Sequence, residues 1–276
     1  MTAFENIVFG QNSIPSLIIT VVLMIAIPVI FIIYWRRKHK EQTKISWLIA
    51  GAAGFIVSAR VLELGVHYFC IISDNPVSRF INGNTAAFVF YGIIMAGIFE
   101  ECGRHLILKY IMKKNRSREN AVLYGIGHGG IEVLAVILPS IVLYLAIAVA
   151  FSSGDIENAL STLKITEETA GTALPSVQAA ASFGYTIMVM NVIERLFAMF
   201  IHIGLTVIVY YGVINAKKSF LPAAILLHML MDTFPALYQR GVIPLWAVEV
   251  WGALWTAIIV FIAVKLYGKM KEEETA

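Results

Sequence analysis

The sequence is short of charge. Only 14% of its 276 residues are Asp, Glu, Lys or Arg, and 59% are hydrophobic, whereas a soluble domain carries about 25% charged residues. With a mean hydropathy of +0.78, a water-soluble globule is excluded and a polytopic membrane protein is indicated. The formal net charge is only +3, and the basic residues are gathered at particular places, which argues against a nucleic-acid partner. Cysteine is scarce too. Cys70 and Cys102 fall in different segments, so neither a disulfide framework nor a Cys-x-x-Cys site is available. A cleaved leader is not expected. The first apolar run is longer than a leader's, follows Glu5 rather than a basic start, and ends in Tyr34-Trp35-Arg36-Arg37-Lys38.

Long apolar runs are what the chain has in abundance. About twenty apolar residues cross a bilayer as a helix. That length predicts one all-α integral-membrane domain over 1–276 with seven spans: Ile14–Trp35, Ile45–His67, Thr85–Leu108, Ala121–Phe151, Phe183–Asn215, Leu221–Tyr238 and Leu245–Lys265. The fourth and fifth exceed one hydrocarbon thickness and are expected to tilt or project. Fifteen basic residues fall on one side of this arrangement. They are Arg36, Arg37, Lys38, Lys40, Lys44, Lys109, Lys113, Lys114, Arg116, Arg118, Lys217, Lys218, Lys265, Lys269 and Lys271. Arg79, Lys164 and Arg240 alone fall on the other. The positive-inside rule therefore predicts the N-terminus outside and the C-terminus inside. Trp35, Trp47, Tyr210, Tyr211 and Trp246 sit near span ends and read as interfacial anchors. The longest connection, Ser152–Gln178, carries Ile156, Leu160 and Leu163 at helical spacing and predicts a short surface helix.

Against this apolar background the ionisable residues inside the spans stand out, because each charge at mid-bilayer costs about 2.5–3.5 kcal/mol. In the third span Glu100 and Glu101 lie four and three residues before Arg104, so the guanidinium reaches either carboxylate. The second span holds Arg60, Glu63 and His67 at one-turn spacings, which read as a self-neutralising group. The fourth span opens Tyr124-Gly125-Ile126-Gly127-His128-Gly129-Gly130-Ile131-Glu132. Its Gly125-x-x-x-Gly129 admits a close neighbour helix, and His128 and Glu132 share a face. The fifth span holds Asn191, Glu194, Arg195 and His202, and the sixth His228 and Asp232 one turn apart, with Pro235 just beyond.

Depth unites several of these. At 1.5 Å per residue from the nearest inner basic cluster, Glu100, His128 and His228 lie about 12–13 Å deep, Asp232 and Glu132 about 18 Å, and His202 about 21 Å. A shared level in the inner half of the bilayer fits a water-filled cavity open to the cytoplasm.

At these residues the sequence resembles a known family. Glu100-Glu101 with Arg104, Tyr124-x-x-x-His128, Gly127-His128-Gly129-Gly130-Ile131-Glu132, Glu194-Arg195 and His228-x-x-x-Asp232 are similar to the YhfC family of intramembrane metalloproteases. More distantly they resemble the superfamily of CAAX prenyl proteases and bacteriocin-processing enzymes. The resemblance implies Glu100 or Glu101 as the base that activates a water, oriented by Arg104, with Asp232 at the family's Asn/Asp position. It further implies His128 and His228 on that water or on a metal such as Zn2+, with Asp232 and His202 as further ligands and Glu132, Glu194 and Arg195 in support. One departure stands out: two residues, Cys102 and Gly103, separate the glutamate pair from the arginine where the wider pattern has three. The choice between Glu100 and Glu101 stays open on this ground, as does metal dependence.

Three functions fit this inventory. The first is intramembrane hydrolysis of a membrane-anchored or transmembrane peptide substrate, in a bacterial plasma membrane. The second is a proton- or ion-coupled transporter, weakened by the lack of an internal or inverted repeat. The third is a non-catalytic immunity or sensory membrane protein. His-Glu-x-x-His, the commonest helical zinc-protease signature, does not occur in the chain.

Overall fold

A computed structural model describes residues 4–275. The described residues are 84% helix, with no strand among them. In chain order the helices are α1 (Ser13–Lys38), α2 (Ile45–Ile72), α3 (Pro76–Gly83), α4 (Thr85–Ile111), α5 (Arg118–Phe151), α6 (Ile156–Thr162), α7 (Glu167–Ser182), α8 (Tyr185–Ile214), α9 (Phe220–Gln239) and α10 (Leu245–Thr275). Seven of them, all but α3, α6 and α7, are long and apolar enough to cross a membrane. The second runs on to Ile72 instead of ending at His67, because the connection closes only at Asn75. There the Asn75 side chain accepts from the backbone of Val77 and Ser78 and starts α3, with Pro76 at its first position. Four stretches widen into π-helical turns: Ile56–Glu63, Tyr68–Ile72, Ile107–Ile111 and Val133–Ile137. Such turns recur at functional sites; one directly follows Glu132, and another begins three residues after Arg104.

The chain divides into two compact units, Met1–Ile27 with Val133–Arg195 and Pro28–Glu132 with Leu196–Ala276. In the first, Phe4, Phe151, Leu160, Val177 and Ala180 form a buried cluster. The predicted surface helix is α6, capped by Asp155, and Leu160 anchors it in that cluster while Ile156 and Leu163 pack around it. Burying a side chain of that size stabilises by about 1.5–3 kcal/mol. Ser13 Oγ donates to the carbonyl of Ala181 at 2.9 Å, tying α1 to α7.

The second unit is built on close helix approaches. Gly51 on α2 faces the carbonyl of Tyr124 on α5, and Gly127 on α5 faces the carbonyl of Leu48 on α2, each so closely that a Cβ would overlap the opposing backbone. Gly125 and Gly129 take the other face of α5 and meet Ile203 and His202 on α8. α5 is thus thin on two sides, as small-residue packing in membranes allows. Trp47 and Tyr210, expected at an interface, are instead buried in this unit with their rings edge to face at 6.0 Å. Ile30, Val61, Leu62, Val250 and Val264 remain exposed, an apolar rim that suits lipid rather than water.

Candidate active site

All three histidines and all four carboxylates that matter most belong to the second unit, and helical geometry separates the adjacent glutamates. Successive residues on a helix point about 100° apart, so Glu100 and Glu101 on α4 meet different neighbours. Arg104, one turn on and fully buried, donates through Nη1 to both Glu101 oxygens, at 2.5 and 2.6 Å. Glu101 Oε1 also lies 2.8 Å from His228 Nδ1 on α9, and His228 Nε2 lies 3.3 Å from Asp232 Oδ2 one turn further. Both ring nitrogens of His228 therefore face carboxylates.

Glu100 turns the other way. Its Oε2 lies 3.0 Å from His128 Nε2 on α5 and 3.9 Å from His202 Nδ1 on α8. Arg104 Nη2 stands 3.1 Å from that same His202 Nδ1. A guanidinium only donates, so Nδ1 accepts and Nε2 carries the hydrogen, on the side where Glu132 Oε2 lies 2.5 Å away. The rings of His128, His202 and His228 follow one another at centroid separations of 5.0 and 5.9 Å. Phe55 sits edge-on to His128 at 5.2 Å, and Gly129 admits the His202 ring, whose Cβ and Cδ2 lie 3.2 and 3.3 Å from where a Cβ would be.

Donor atoms of Glu100, His128 and His202 all fall within 4.8 Å of one another, and all three residues are buried. One carboxylate and two imidazoles form the donor set of a catalytic metal site that keeps a position for water or substrate. Glu132, on the far nitrogen of His202, is the kind of carboxylate that orients a ligating histidine. The residues present fit a divalent metal.

Of the expected ligands His128, His228, Asp232 and His202, two, His128 and His202, gather with Glu100. His228 lies against Glu101 and Asp232. Counting depth from sequence placed His202 well below the others, because such a count assumes upright helices that start at one plane. Glu194 and Arg195 lie in the first unit, where Arg195 donates to Glu194. Glu63 pairs with His67 at 3.2 Å.

A profile of the family described as YhfC intramembrane metalloprotease matches residues 23–251. The chain belongs to that family. A relative in Bacillus subtilis (strain 168), named "Uncharacterized membrane protein YhfC", is 32% identical over 257 residues, covering 93% of this chain and 97% of its own. No solved structure matches the chain. Family membership and seven apolar helices make this an integral membrane protein.

Proposed function

We propose that the protein is an intramembrane endopeptidase that hydrolyses peptide bonds of membrane-anchored or transmembrane substrates. The observation that carries this reading is the buried Glu100–His128–His202 group among membrane-length helices, in a family named for metalloprotease activity. Glu100 is the base. Glu101 has both oxygens on Arg104 and one on His228, so its task is to hold those two groups in place. Glu100 accepts a proton from water as the water oxygen attacks the scissile carbonyl carbon. The proton then passes from Glu100 to the leaving amine nitrogen as the C–N bond breaks, leaving a new carboxyl and a new amine. Arg104 holds Glu101, which in turn holds His228. Glu100, His128 and His202 would hold a metal ion, zinc by the nature of the donors, with the His202 Nδ1 lone pair given up by Arg104 and one Glu100 oxygen left to take the water proton; when bound it supplies Lewis acidity for the carbonyl and an acidified water.

The excess of basic residues between the predicted spans supports an external N-terminus and a site in the cytoplasmic half of a bacterial plasma membrane. The test is cleavage of membrane-anchored peptides by the purified protein in lipid discs, with Glu100→Gln, His128→Ala and His202→Ala made singly. Full activity in all three would sink the reading. A second reading, a proton-coupled transporter, draws on the chain of contacts Glu132–His202–Arg104–Glu101–His228–Asp232, which resembles a proton relay. Solute uptake driven by a pH gradient in proteoliposomes would favour it.

A further inference from the structure

A cavity of about 430 Å³ lies among α2, α4 and α9, and Asp232 of the site forms part of its wall. That volume is in the range of small-molecule and cofactor pockets. Ile71, Phe88, Ile93 and Pro235 make the wall largely apolar, and four polar side chains interrupt it: His67, Tyr91, Asp232 and Gln239. Resting on the endopeptidase reading above, we propose that this cavity is the substrate subsite. It takes a short, unwound, apolar stretch of the substrate polypeptide next to the bond that is cut.

The chemistry of the wall selects that occupant over a lipid tail. A peptide bond inside a helix is shielded, so the substrate must unwind before attack. Unwinding inside a membrane releases N–H and C=O groups, each costing several kcal/mol if left unpaired, and irregular backbone persists there only where it lines a cavity or is buried in protein. The wall answers this need. The Tyr91 hydroxyl lies 2.8 Å from His67 Nδ1, and the other His67 nitrogen faces the Glu63 carboxylate at 3.2 Å. A hydroxyl carries one donor and two lone pairs, so Tyr91 can also meet a substrate backbone group. The Gln239 amide offers both a donor and an acceptor, and Asp232 links the cavity to His228 at 3.3 Å and thence to Glu101. An acyl chain would use none of these groups.

Gly92 provides a clean probe. It lines the cavity, and a Cβ there would meet no atom within 4 Å, so a side chain can be added without moving a helix. The experiment uses the full chain in lipid discs and a single-span apolar peptide carrying a photoreactive leucine analogue at its centre, with cross-links mapped by mass spectrometry. Wild type and Glu100→Gln should both cross-link at Ile93 and Pro235. Gly92→Leu and Gly92→Trp should each reduce that labelling about tenfold, the scale on which apolar pockets discriminate. Thermal unfolding of each variant checks folding, and the smaller Gly92→Leu, which replaces a poor helix former by a good one, keeps the test alive if tryptophan does not fit. Labelling elsewhere, labelling untouched by Gly92→Leu, or equal labelling by a photoreactive fatty acid would overturn the proposal. If labelling fails while Glu100→Gln abolishes cleavage, only the subsite is wrong. If labelling succeeds while Glu100→Gln cleaves as wild type does, the endopeptidase mechanism is wrong and the peptide site stands.

Discussion

Nε2 of His202 lies 2.5 Å from Oε2 of Glu132, and this contact turns Nδ1 of the same ring toward Glu100 and Arg104. Glu132 is therefore a positioning residue. Glu132→Ala should weaken metal binding about 10–100-fold, read by titration of the purified protein against a competing metal indicator. Glu132→Asp should restore part of the affinity, and unchanged affinity in Glu132→Ala would remove His202 from the metal site.

The assignment of His202 rather than His228 to the metal gives a sharper test. His202→Ala and His128→Ala should each abolish stoichiometric metal binding, measured by elemental analysis after dialysis. His228→Ala should keep the metal and lose activity, because its nitrogens serve Glu101 and Asp232. Metal lost in His228→Ala but kept in His202→Ala would reverse the assignment.

Removing the metal should act on the same group. Dialysis against a chelator should abolish peptide cleavage, and zinc should restore it, with no recovery in Glu100→Gln. Undiminished cleavage by metal-free protein would leave Glu100 and His128 acting alone.

Arg104 and Glu101 form an ion pair with no exposure on either side chain. Arg104→Met leaves a buried carboxylate without its partner and should cost about 3–5 kcal/mol, seen as a lower unfolding temperature in detergent. The double variant with Glu101→Gln should recover part of the loss. Arg104→Lys should not rescue fully, since a lysine lacks the second nitrogen that reaches His202 while the first holds Glu101.

Helix packing can be tested apart from chemistry. A Cβ at Gly127 would overlap the Leu48 carbonyl of α2, so Gly127→Ala should destabilise by about 1–3 kcal/mol through overpacking. Gly92→Ala, on open space, should leave stability unchanged or raise it slightly. Equal effects at the two positions in thermal unfolding would contradict the packing of α2 on α5.

Much of the protein was legible because hydrophobic length is a local property. Seven apolar runs of span length became seven membrane-length helices, and the expensive ionisable residues Glu100, Glu101, Arg104, His128, Glu132, His202, His228 and Asp232 could be named one by one. Their partners could not. Glu100 and Glu101 have nearly the same local surroundings in sequence, and Arg104 is within one turn of both. The choice of Glu101 for Arg104 and of Glu100 for His128 depends on which neighbour helix each side of α4 meets. That is set by backbone approaches such as Gly51 against Tyr124, Gly127 against Leu48 and Gly125 against Ile203, between residues far apart in the chain. For the same reason His202 joined Glu100 and His128 while His228 turned to Glu101 and Asp232. Helical periodicity says which side chains share a face, whereas the contacts across that face come only from packing one helix on another.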